Sequence, residues 1–116
     1  MNQEQSAIGY DEWMPQSPDE RRRIFTDISA ENRALLIKTH IERWLAANRQ
    51  RLNNEQINVV EDIIIPFITP ERYRAEIDRE KVEQEADALQ RKAEEFFSRE
   101  DLMQMVSPRA DYIPPL

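Results

Sequence analysis

Residues 29–49 read SAENRALLIKTHIERWLAANR, and the order of apolar and charged side chains there decides the fold class. Ile37, Ile41, Trp44, Leu45 and Asn48 recur on one stripe at helical spacing, while Arg33, Lys38, Glu42, Arg43 and Arg49 fall largely elsewhere. Ser29 precedes this run with Glu31 and Asn32 in the first turn, the arrangement that satisfies the orphan N–H groups of a helix start. The spacing predicts a core helix over 30–49.

The same start signal appears at Ser17-Pro18-Asp19-Glu20, Asn53-Asn54-Glu55-Gln56 and Thr69-Pro70-Glu71-Arg72. Pro18 and Pro70 sit at the first helical position, where a missing N–H costs nothing and the fixed φ suits a helix. A short helix is therefore expected over 18–26, presenting Ile24 and Phe25 as a lid. Another is expected over 54–67, with Ile57, Val60, Ile64 and Phe67 on one face widened by Val59 and Ile63. Pro66 should kink or end it, because proline disfavours helical geometry at Ile65. One Gly in 116 residues and no sustained alternation leave little room for hairpins, so the chain reads as all-α.

From Pro70 to Phe97 the pattern predicts a single long charged helix. Val82, Ala86, Leu89, Ala93 and Phe96 follow a four-three-four-three spacing, a narrow seam of coiled-coil type. That seam can cover the first three helices or pair with another chain. A further turn or two is expected through Leu102, Met103, Met105 and Val106. The expected organisation is an extended N-terminal arm over 1–16, one helical domain of three to four main helices over 17–106, and an extended Pro-rich tail over 107–116.

A chain of 116 residues buries roughly 65% of the surface its unfolded form exposes, enough for one modest core. Without cysteine there is no thiol nucleophile, zinc ribbon or disulfide framework. No apolar run is long enough to span a bilayer and residues 1–10 lack a signal-peptide pattern, so a cytoplasmic chain is expected, with export open if the N-terminus is a recloned mature end. The net charge of −7 lies in the second half: residues 53–116 hold fifteen acids against eight bases, whereas residues 1–52 balance at eight each. Such a surface repels nucleic-acid phosphates and anionic lipid. Arg21-Arg22-Arg23, balanced by Asp19, Glu20 and Asp27, reads as a solvated helix face.

His40 is the single histidine, and with Ile37 three residues before it the Glu-x-x-His spacing of di-iron bundles is absent, so no metal or other cofactor is expected. Between Leu36 and Trp44, His40 reads as an aromatic at the edge of the core. Glu61-Asp62 and Glu94-Glu95 diverge around a helix instead of converging as a catalytic dyad, and one Gly cannot build a phosphate loop. No enzyme activity is expected.

Recognition is the remaining class. Tyr10 and Trp13, outside the expected helices, are candidate interface anchors, and Tyr112 and Ile113 would be anchors in the tail. Glu83, Glu85 and Asp87 would face a protein partner with a basic surface, and the 82–96 seam offers self-association instead.

Ile28-Ser29-Ala30-Glu31-Asn32, then Ile37 with His40-Ile41 and Trp44-Leu45, then Leu52-Asn53-Asn54-Glu55-Gln56, then Ile68-Thr69-Pro70-Glu71 make residues 18–73 similar to the bacteriocin fulvocin C-related family of small bacterial proteins. That resemblance implies a bacteriocin-like or immunity-like protein without catalysis. Leu52 to Gln56 also resembles the Leu-Thr-x-x-Gln motif of the periplasmic Spy-type chaperones, with Asn53 in place of Thr, which implies a helical cradle for unfolded clients. The expected function is a non-catalytic protein-binding module, the alternatives being an acidic phosphate-mimicking inhibitor of a nucleic-acid enzyme or a Spy-like chaperone.

Overall fold

Side-chain caps open the principal helices. A computed structural model of the chain describes residues 7–74 and 78–106. The Ser17 hydroxyl accepts from the Glu20 N–H at the start of α2 (Pro18–Asp27), and Ser29 accepts from Asn32 at the start of α3 (Ala30–Asn48). Asn53 and Gln56 form a reciprocal capping box, each side chain bonded to the other's N–H at 2.8 and 2.9 Å, at the start of α4 (Asn54–Val59). A short turn, α1 (Tyr10–Trp13), precedes these helices. No strand occurs among the described residues, so the all-α class holds.

Pro66 does not stop the third helix where proline rules alone would put the break. Ile65 keeps helical angles, φ −62° and ψ −45°. Between α4 and α5 (Ile65–Phe67) the chain widens to a π-helical turn over Val60–Ile64, in which the Ile65 N–H bonds the Val60 carbonyl. The extra residue takes up the clash of the Pro66 ring with the carbonyl four residues back. The helix then ends at Phe67, one residue beyond the proline.

The long charged helix expected over 70–97 is broken, and with it the count of three to four main helices. Thr69-Pro70 opens only a 3₁₀ turn over Pro70–Tyr73, without a side-chain cap, and Arg74 is extended. Tertiary bonds explain the stop. The Arg33 guanidinium of α3 donates to the Tyr73 carbonyl at 3.2 Å, Arg74 pairs with Glu31 at 2.8 Å, and the Tyr73 ring meets Phe25 edge-on. Asp78 then caps α6 (Arg79–Ala93), and Ser98 caps α7 (Arg99–Val106).

Residues 1–16 were expected as an extended arm, yet Tyr10, Trp13 and Met14 are buried in the main core. Positions 10, 13 and 14 share one side of a helical turn, and burying two aromatic rings outweighs the order imposed on the segment. Asn32 secures it by accepting from the Ile8 N–H at 2.8 Å and donating to the Ile8 carbonyl at 3.0 Å. The expected tail over 107–116 lies outside the described residues.

At the centre is α3, packed against α1, α5, α7 and the Pro70–Tyr73 turn. Its Leu36, Ile41 and Trp44 are fully enclosed with Trp13, Val60 and Met105. Arg49, just past α3, pairs with Glu61, while Ile37 and Ile41 share a cavity with Ile64 and Phe67, so α3 and the α4–α5 helix run back along one another.

Candidate binding groove

His40 sits at the junction of three helices rather than at the core's edge, and it is fully buried. Its Nε2 lies 2.7 Å from the Gln104 carbonyl, which only accepts, so Nε2 carries the proton in the neutral ring. Nδ1 then accepts from the Tyr10 hydroxyl at 2.7 Å. The Gln104 side chain accepts from Trp44 Nε1 at 2.9 Å, and Arg51, stacked over Trp44, pairs with Asp101 of α7. Burial lowers the His40 pKa, the Gln104 carbonyl works against that, and the Arg21 guanidinium adds to the lowering. Neutral His40 is therefore a structural tie between α1, α3 and α7.

The arginine triplet divides in the same way. Arg22 and Arg23 lie on the solvated face, paired with Asp19 and Glu20. Arg21 is buried and donates to the Met14 and Gln16 carbonyls at 2.7 and 2.9 Å, which corrects the expectation of a wholly solvated triplet. Its signal was the four-residue spacing to Phe25, which puts both on one helical face. Hydrogen bonds from Arg23 and Arg74 hold half-buried Glu20 and exposed Glu31 below the ordinary carboxylate range. Among the described residues no three His, Asp or Glu side chains are grouped to hold a metal ion.

An apolar groove of about 490 Å³ between α6 and the body of the protein has room for a ligand. Ile37 and Ile41 of α3, with Ile64 and Phe67, form one side. Ala86, Leu89 and Ala93 of α6 form another, Leu102 and Met103 of α7 a third, and Phe25 and Tyr73 also reach it. Gln90, Glu94 and Arg99 supply polar groups, and all three residues are exposed. Met103 is 58% exposed, unusual for a large apolar side chain.

The groove draws on some of the residues singled out for recognition and leaves others aside. Ala86, Leu89 and Ala93 from the 82–96 seam line it; Ala93 is buried, and Leu89 and Phe96 pack partly on the core. Val82 is half-buried. Glu83 and Asp87 are exposed on α6, whereas half-buried Glu85 pairs with Arg72 at 2.5 Å. Tyr10 and Trp13, expected as surface anchors, are core residues, because their rings pack in tilted contacts against His40, Phe25 and one another. Tyr112 and Ile113 lie outside the described residues. Phe25, Tyr73 and Met103 were not foreseen as neighbours of a site, since only the break before α6 brings them together.

No described helix is long and apolar enough to cross a membrane. Compared with models of known families, with characterised proteins and with solved structures, the chain matches none of them.

Proposed function

We propose that this chain is a non-catalytic helical module that binds a protein partner. The observation that carries the proposal is the groove beside α6, where Leu89, Phe67 and Met103 keep apolar surface in contact with solvent. A folded domain gains by covering such surface, and contiguous exposed apolar patches mark binding sites. The buried polar groups support a structural role for the interior, since His40, Gln104, Trp44, Arg21 and Asn32 bond to neighbouring elements. A bacteriocin-like or immunity-like role is a finer form of this proposal and rests on the resemblance of residues 18–73.

Site-specific photo-crosslinking tests it. A photoreactive residue replacing Met103, beside the groove, should yield a discrete protein adduct in the native host, while the same residue replacing exposed Asn58, outside the groove, should not. Identical adducts from both positions, or none from Met103, would overturn the proposal. Light scattering on the purified full chain distinguishes a separate partner from a second copy.

A further inference from the structure

We infer that the groove takes an amphipathic helix of the partner, apolar on one face and carrying lysine or arginine along one edge; the inference rests on the binding role proposed above. The two shoulders of α6 differ in charge. Ala86, Leu89 and Ala93 face the groove, and at 100° per residue Glu80, Glu83, Asp87 and Glu94 fall together along one flank, at successive intervals of three, four and seven residues. All four are exposed, and none forms an ion pair with a described residue; Glu94 accepts a hydrogen bond from Gln90. On the other flank Glu85 is neutralised by Arg72, whose guanidinium stacks over Phe67 at 3.8 Å. One edge thus satisfies its charge within the fold, and the other offers four carboxylates beside apolar surface, against exposed Arg79 and Arg91 on the same side. Arg99 of α7 is the cation among the groove's lining residues.

Length favours a helix over a small molecule. From Glu80 to Glu94 the carboxylate row extends about 21 Å at a helix's rise of about 1.5 Å per residue, further than a compact ligand in the cavity reaches. The groove-lining part of α6, Ala86 to Glu94, spans about 12 Å, or roughly two turns of a helix lying alongside. A partner helix has the same rise, so apolar anchors at i, i+3 or i+4, and i+7 enter the groove while cations on the adjacent edge meet the carboxylates. Both ion-pair partners stay at the solvated rim, where they choose between partners more than they add affinity.

The test uses the full chain and three fluorescent peptides in anisotropy titrations at low and physiological salt. They are a leucine–lysine amphipathic helix, the leucine–glutamate helix of the same apolar pattern, and a scrambled leucine–lysine peptide. The leucine–lysine helix should bind and the other two should not. Reversing the rim with Glu83→Lys plus Asp87→Lys should weaken that helix about tenfold and favour the acidic one. Ala86→Trp, at an exposed position checked for folding by circular dichroism, should fill the groove and abolish binding. Equal binding of the scrambled peptide, indifference to rim reversal, or binding that survives Ala86→Trp would each overturn the inference. So would an apolar dye that occupies the groove and is not displaced by the leucine–lysine helix, or a dimer that Ala86→Trp converts to monomer. A Met103 crosslink without preference for the basic helix would refute the charge chemistry while leaving the binding role standing; loss of both removes the binding role itself.

Discussion

Replacing Trp13 with alanine should destabilise the whole domain, although the residue lies near the chain's start, in a segment whose composition suggests an arm. Its side chain is fully enclosed, with the ring centroid 5.9 Å from that of Phe25 and 6.4 Å from that of Tyr10. Its indole N–H donates to the Arg21 carbonyl at 3.0 Å, while the Arg21 guanidinium donates back to Met14 and Gln16. The Trp13→Ala change removes a large buried side chain and should cost about 3–5 kcal/mol. Against a total stability of about 5–15 kcal/mol, that is between about a fifth and the whole of what holds a small domain together. Trp13→Phe retains most of the apolar area and gives up the hydrogen bond, so it should cost about 1–2 kcal/mol. Urea unfolding followed by helical circular dichroism measures both, and each variant should keep one cooperative transition. A loss under about 1 kcal/mol for Trp13→Ala would refute the placement of α1 in the core. It would return Trp13 to the role of an accessible interface anchor.

Acid should weaken the fold through His40. Burial lowers its pKa below the ordinary 6.5, so the unfolded chain binds this proton more readily than the folded one. The contribution is complete above 6.5 and is lost as pH falls through 6.5 toward the lowered folded value; urea midpoints measured across that window should decline, and His40→Gln should flatten the decline. The groups facing the ring are Tyr10 from α1, Arg21 from α2 and Gln104 from α7, and the unfavourable charge among them is Arg21. Gln104→Leu should cost about 1–3 kcal/mol by leaving the Trp44 N–H without its acceptor, whereas Gln104→Glu should retain most of the stability; urea denaturation that ranks the two alike would count against this bond.

Helix starts were the most legible part of this chain, because a cap acts within one turn and needs nothing from elsewhere. Ser17, Ser29 and Asn53 cap the helices expected of them. Thr69 carries the same local pattern and opens only a 3₁₀ turn, since Arg33, forty residues earlier, holds the Tyr73 carbonyl and the chain leaves helical geometry at Arg74. Pro66 likewise obeys its steric rule by a route that composition does not disclose, a widened π turn in place of an immediate stop.

The all-α class and the central place of residues 30–48 follow from spacing alone, because a stripe of Ile37, Ile41, Trp44 and Leu45 has to be buried wherever the rest of the chain lies. Which groups bury it was decided by tertiary structure. Tyr10, His40 and Gln104 are far apart in the chain and bond in one interior, so the N-terminal aromatics became core and the lone histidine became a tie. The groove arises in the same way. Its walls come from α3, α5, α6 and α7, and it exists because the break after Tyr73 sets α6 off from the turn before it. Periodicity orders side chains around a single helix, whereas a cavity depends on the distance between helices, which hydrogen bonds and packing across the whole chain determine.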